Sequence, residues 1–90
     1  MDLSNNTLEP ILSYPNPFSS EVTIQLPDAN VSAIIQVYNG MGILVAEESV
    51  IGVYKFGNQL SSGIYFVKIN MDSKTETVKV IKEQLKHCFL

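Results

Sequence analysis

The sequence predicts an all-β fold, an antiparallel sandwich of short strands, and three features predict it. Val and Ile dominate the apolar residues, joined by four Tyr and four Phe, and branched or aromatic side chains suit a pleated, half-buried surface. Short runs of alternating polarity recur at steady intervals, with turn residues between them. No segment sustains a helical period.

The 90 residues hold one domain and leave no room for two. Hydrophobic residues make up 46% and charged residues 17%, a balance that supports a packed core and not disorder. A domain this small buries about 60% of the surface its unfolded chain exposes, so its stability is expected at ~5–9 kcal/mol. The organisation expected along the chain is a linker or disordered N-terminus over 1–10, a β-sandwich over 11–83, and a separate C-terminal tail over 84–90.

Residues 1–9 are polar and aperiodic and read as a frayed end. Three prolines then fall between Pro10 and Phe18. In Tyr14-Pro15-Asn16-Pro17-Phe18 both prolines fix φ and push the preceding residue into extended geometry, which excludes helix or central strand. A rigid bend is expected there, with Tyr14 and Phe18 as aromatic anchors at its two ends, exposed in part but still serving in packing. Residues 21–26 alternate cleanly, with Val22, Ile24 and Leu26 on one face and Glu21, Thr23 and Gln25 on the other. Pro27-Asp28-Ala29-Asn30 carries turn chemistry.

Residues 31–38 form a second strand, apolar on both faces and therefore central. Asn39-Gly40-Met41-Gly42 reads as a hairpin connection in which Asn-Gly supplies positive φ, and residues 43–49 return as a third strand. A short strand bounded by glycines spans 52–57, and a loop runs from Asn58 to Gly63. Residues 64–69 place Tyr65, Val67 and Ile69 on one face, Asp72-Ser73-Lys74 turns, and residues 75–81 alternate Thr or Lys with Val. After Glu83 the pattern changes. Leu85, Phe89 and Leu90 sit at spacings a short helix could use, in a piece too short to hold a helix alone.

Composition excludes several function classes. Net charge is −3, with six lysines and no arginine, whereas phosphate-backbone binding needs clustered cations, so nucleic acid is not expected as a partner. Lysines gather toward the end, but Glu76 and Glu83 interleave with them, as on a solvated face. No stretch approaches the ~18 apolar residues of a transmembrane helix. The first residues lack the basic start and apolar run of a secretory signal, so a module working outside the cell would have its export signal on a longer precursor.

Reactive chemistry is sparse. His87 is the one histidine and Cys88 the one cysteine. They are sequence neighbours whose side chains point apart, with no orienting third group, so no catalytic set is expected. Nor do they make a zinc site, which needs four ligands. Asp28 with Asn30, or Asp72 with nearby carbonyls, has the oxygens for calcium, yet ordinary turn chemistry accounts for both. The glycines do not space as a phosphate loop. Tyr38, Tyr54 and Tyr65 fall within strands, where core packing accounts for them better than sugar stacking. No cofactor, metal or small-molecule substrate is expected.

The order of the punctuation is the distinctive feature. The chain presents Tyr14-Pro15-Asn16-Pro17-Phe18, a Val/Ile strand ending at Tyr38-Asn39, and a strand led by Gly42. Leu60-Ser61-Ser62-Gly63-Ile64-Tyr65-Phe66-Val67 comes next, then Thr77-Val78-Lys79-Val80-Ile81-Lys82. This series resembles the type A C-terminal sorting domains of the type IX secretion system. Their "YPNP", "V-Y-N-x-x-G", "L-x-x-G-I-Y-x-V" and "K-x-I-K" segments occur in the same order, here over about residues 12–82. Family members normally end at the last of these segments, whereas this chain continues for eight residues.

The resemblance implies an immunoglobulin-like antiparallel β-sandwich of about seven strands and no enzymatic activity. It implies a cleavable signal that travels with an N-terminal cargo through the periplasm to the cell surface or medium. The partners it implies are an outer-membrane translocon and a surface sortase, with the scissile bond within or before the first dozen residues. Carried over by position, the signal-bearing residues are Tyr14, Pro15, Asn16, Pro17, Gly42, Gly63, Tyr65, Lys79 and Lys82. From composition alone, a carbohydrate-binding or adhesive sandwich attached to an extracellular protein is the alternative.

Overall fold

A computed structural model describes residues 10–84 of the chain. The linker expected over 1–10 and the tail over 84–90, with His87 and Cys88, thus fall almost wholly outside the described residues. Seven strands occur in order: β1 (Leu12–Tyr14), β2 (Val22–Gln25), β3 (Ser32–Asn39), β4 (Leu44–Ile51), β5 (Val53–Phe56), β6 (Gly63–Asn70) and β7 (Thr75–Lys82). They pair antiparallel in two sheets, β1-β2-β5 and β4-β3-β6-β7. This is the immunoglobulin-like arrangement, with the fourth strand carried on the second sheet beside the third.

Alternation decides which side chains meet between the sheets. Val22, Ile24, Leu26 and Phe56 come from the three-stranded sheet and are buried. From the other sheet come Ala33, Ile35 and Val37 of β3, Tyr65, Val67 and Ile69 of β6, and Val80 of β7. The expected central strand is central, since β3 lies between β4 and β6.

Beyond the runs read from the sequence there is β1, the edge strand that pairs Leu12 with Gln25 and Tyr14 with Thr23. It was illegible because it has only three residues, too few to display a period, and a proline directly after it. An edge strand hydrogen-bonds on one side only, so the neighbouring proline is tolerated.

The strand β4 covers little of the core. Its residue Glu48 stands opposite the buried Ile35 yet remains exposed. A charge facing inward on an edge strand discourages a further strand from adding there. At Gly52 the chain leaves the four-stranded sheet and enters the three-stranded one. Its N–H donates to the Val31 carbonyl (2.9 Å) and its carbonyl accepts from the Leu26 N–H (2.9 Å), so one residue ties both sheets.

Two expectations are corrected here. The positive φ of the β3–β4 turn lies at Gly42 (+84°), and Asn39 and Gly40 do not supply it. Asn39 instead ends β3, and its side-chain oxygen accepts from the N–H groups of Met41 (2.9 Å) and Ile43 (3.0 Å). Tyr38 is not core. It lies on the outer face, between Leu44 and Phe66, because the neighbouring Val37 points inward.

Candidate recognition corner

β7 is an edge strand, and its outward N–H and C=O groups need partners. Pro15 and Pro17 have no N–H to offer, so the Pro-Asn-Pro-Phe segment supplies its bonds from the residues between and after them. The Asn16 side-chain amide acts as a substitute peptide group. Its nitrogen donates to the Lys79 carbonyl (2.9 Å) and its oxygen accepts from the Ile81 N–H (3.0 Å). Two residues later the Phe18 backbone continues the ladder, donating to the Ile81 carbonyl (2.9 Å) and accepting from the Glu83 N–H (2.8 Å). The opening motif is thereby fastened alongside the closing one, as a parallel bridge at Phe18 and Lys82.

Phe18 packs, as expected of an aromatic anchor, but without the partial exposure expected beside the prolines: it is 1% exposed. Its ring meets Phe56 at a centroid distance of 6.5 Å and a tilt of 59°. It also lies over Gly57, where a Cβ would fall 2.5 Å from the Phe18 ring. The absent side chain of Gly57 is what admits the ring.

Lys82 closes the corner from the other side. Its ammonium donates to the carbonyls of Gly57 (2.6 Å) and Leu60 (2.8 Å), lies 3.4 Å from that of Asn58, and sits 5.9 Å from the Phe18 ring centroid. A cation at this range is attracted by the ring face. Lys68, Lys74 and Lys79 fit the solvated face expected of the C-terminal lysines, and Lys74 pairs with Glu76 at 2.8 Å. Lys82 does not: it is half-buried and organises a loop.

Tyr65 and Gly63 complete the arrangement. Gly63 opens β6 at φ +149°, and the buried Tyr65 donates its hydroxyl to the Ser61 carbonyl at 2.7 Å. A tyrosine at the start of this strand, bonded back to upstream backbone, is a recurring corner device of immunoglobulin-like sandwiches.

The nine residues singled out from the sequence therefore separate by role. Asn16, Lys82, Gly63 and Tyr65 build the corner or the turn beside it. Tyr14, Pro15 and Pro17 form its exposed surface, with the Tyr14 hydroxyl bonded to Gln25 Oε1 at 2.6 Å. Lys79 contributes its backbone carbonyl while its side chain stays exposed, and Gly42 serves the separate β3–β4 turn. Sequence reasoning missed Gly57. The signal available was its place just before the Leu60 motif, and nothing in the sequence tied it to Phe18.

Two substitutions test the corner. Lys82→Met keeps the aliphatic stem but leaves the loop carbonyls without their donor, so it should cost about 1.5–3 kcal/mol in urea unfolding. Asn16→Asp keeps the acceptor for Ile81 but sets a carboxylate against the Lys79 carbonyl, costing about 1–2 kcal/mol at neutral pH. That carboxyl is stabilised when protonated, because only then can it donate. The lost stability should return as pH falls through its raised pKa, and wild type should show no such recovery.

An open cleft of about 280 Å³ lies between the free edges of β4 and β5, lined among others by Ala46, Tyr54 and Phe56. Tyr54 stacks on Phe56 at 5.1 Å, and burial, followed by the Glu48 carboxylate, pushes its phenol above the ordinary value. Among the described residues no three His, Cys, Asp or Glu side chains gather as metal ligands, and the buried side chains are all hydrophobic. Asp28 caps its own turn by accepting from the Asn30 N–H at 2.8 Å, which is ordinary turn chemistry.

No curated protein matches the chain. A family model described as the secretion system C-terminal sorting domain matches residues 13–83, the span that carries the corner and both sheets. The chain belongs to the family of type IX secretion C-terminal sorting domains.

Proposed function

We propose that this sandwich is the non-enzymatic export address of a larger protein, read by shape and by exposed strand edges. It follows its cargo as a folded unit through the periplasm and docks on the outer-membrane translocon. A surface sortase then cuts before the sandwich, and the cargo is released or anchored at the cell surface. The family match over residues 13–83 carries this reading. Support comes also from the corner, where two motifs far apart in sequence are bonded through Asn16 and Phe18 into one surface. A docking partner could recognise that surface only in the folded domain, by adding to edges and filling pockets.

The nine motif residues are proposed to act in two ways. Asn16, Gly42, Gly63, Tyr65 and Lys82 hold the shape, while Tyr14, Pro15, Pro17 and the Lys79 side chain present it. The test is a reporter fused ahead of the full chain, behind an export signal peptide, in cells with a working type IX system. The reporter should reach the surface or the medium, and retention in the periplasm would reject the reading. In a second arm, Tyr14→Ala with Lys79→Glu should lower export at least tenfold while leaving the melting temperature within a few degrees. Unchanged export there would show that the corner is not the surface read.

A further inference from the structure

The two sheets end in four edges, at β1, β5, β4 and β7, and an open edge offers its N–H and C=O groups to other chains. Three of them are short or covered. β1 has three residues with Pro15 directly after them, and β5 has four. β7 is held by Asn16 and Phe18 over residues 79–83. The fourth, β4, runs for eight residues, and among the described residues no backbone bonds to its outer side.

Alternation settles which groups this edge offers. The Asn39 N–H donates to the Ile43 carbonyl and the Gly52 N–H to the Val31 carbonyl, both at 2.9 Å. Between these ends, β3 therefore bonds to β4 through its odd-numbered residues, whose partners are Ala46, Glu48 and Val50. The peptide groups of Glu47, Ser49 and Ile51 point away from the sheet.

Charge is the guard on this edge. Glu47 and Glu48 stand at its middle, flanked by Leu44, Val45 and Ile51, which are 44%, 41% and 67% exposed. Glu47 turns to the outer face, where it accepts from Gln36 Nε2 at 3.2 Å. Glu48 turns inward, and its carboxylate is felt by the Tyr54 phenol in the cleft that β4 shares with β5. Among the described residues the one ion pair joins Lys74 and Glu76, so neither glutamate meets a cation there. The cleft walls, Ala46, Tyr54 and Phe56, suit the aliphatic stem of a lysine or arginine whose head reaches for Glu48.

Such a guard is selective. A second copy does not fit, because pairing β4 with β4 about its middle sets these glutamates against their own kind, and like charges on facing strands repel. The lysine-bearing β7 of a second copy already has its edge taken over residues 79–83.

We infer that β4 is the docking edge for an extended segment of a partner protein, with apolar residues on either side of a central lysine or arginine. The segment extends the four-stranded sheet by one strand, bonding to the peptide groups of Glu47, Ser49 and Ile51. One cation enters the cleft toward Glu48, and an adjacent one meets Glu47 on the outer face. This deepens the export reading and rests on it only in taking the partner to be export machinery; the pairing itself is measured without secretion.

The probe is an acetylated peptide of alternating threonine and valine with two adjacent lysines at its centre, titrated into the isotope-labelled full chain. The NMR signals of the Glu47, Ser49 and Ile51 amides should shift, and their hydrogens should exchange more slowly. A peptide with glutamates in place of the lysines should bind about tenfold more weakly, and Glu47→Lys/Glu48→Lys should reverse that preference. Ser49→Pro keeps both charges but removes an outward N–H, which an edge strand tolerates. It should abolish binding while the Ile35 and Val67 signals report an intact core. Equal binding of the two peptides would overturn the inference, as would binding that Ser49→Pro leaves intact, the mark of charge attraction without strand pairing. Amide shifts that follow protein concentration alone would name a second copy as the occupant and overturn it too. Absence of binding would reject this edge while leaving the reporter test of export to stand or fall separately.

Discussion

Phe18→Ala should lower the unfolding free energy by about 3–5 kcal/mol, the usual cost of emptying a buried aromatic site. In a domain expected to hold only ~5–9 kcal/mol, that removes roughly a third of the total or more. The melting temperature should drop on the order of 15–30 °C. The cost is high because the Phe18 ring occupies space that Gly57 leaves open and that Lys82 and Phe56 border. Its own backbone bonds to Ile81 and Glu83 survive the substitution, so the loss reports the ring. Phe18→Leu, which keeps most of the volume, should cost about 1–2 kcal/mol. Urea unfolding of the full chain measures both. A loss under about 1 kcal/mol for the alanine variant would mean that the corner collapses freely and the ring is not its anchor.

Gly52→Ala is the second large effect, expected at about 2–4 kcal/mol. Part is conformational, since φ is +79° and an L side chain there costs roughly 1–2 kcal/mol. The rest is steric. A Cβ would lie 2.8 Å from the Ala29 carbonyl oxygen and 3.2 Å from its Cα, and backbone has little freedom to retreat. Gly42→Ala is the control: φ is similar at +84°, but no atom lies within 4 Å of the added carbon. It should cost only the conformational share. If the two variants prove equally stable, contact with Ala29 does not constrain the crossing between sheets.

The strands that alternate cleanly were legible because alternation records the burial of one face. Val22, Ile24 and Leu26, and likewise Tyr65, Val67 and Ile69, are all buried as their spacing requires. The motif series was legible as well, and it lies within the span that the family model matches. Tyr38 misled because alternation within a strand says which residues share a face, not which face turns inward. That choice belongs to the neighbours Val37 and Phe66.

By itself, the sequence determined an antiparallel β domain with six of its strands, the turn sites, and membership in an ordered motif family. These come from local rules of period, proline geometry and turn chemistry, which act over a few residues. Only the tertiary structure decided that Asn16 stands in for a peptide group on β7, that Phe18 is buried over Gly57, and that Lys82 binds loop carbonyls. Those contacts join residues more than twenty positions apart. Their physical reason is the meeting of two sheet edges, which no local pattern in the chain encodes.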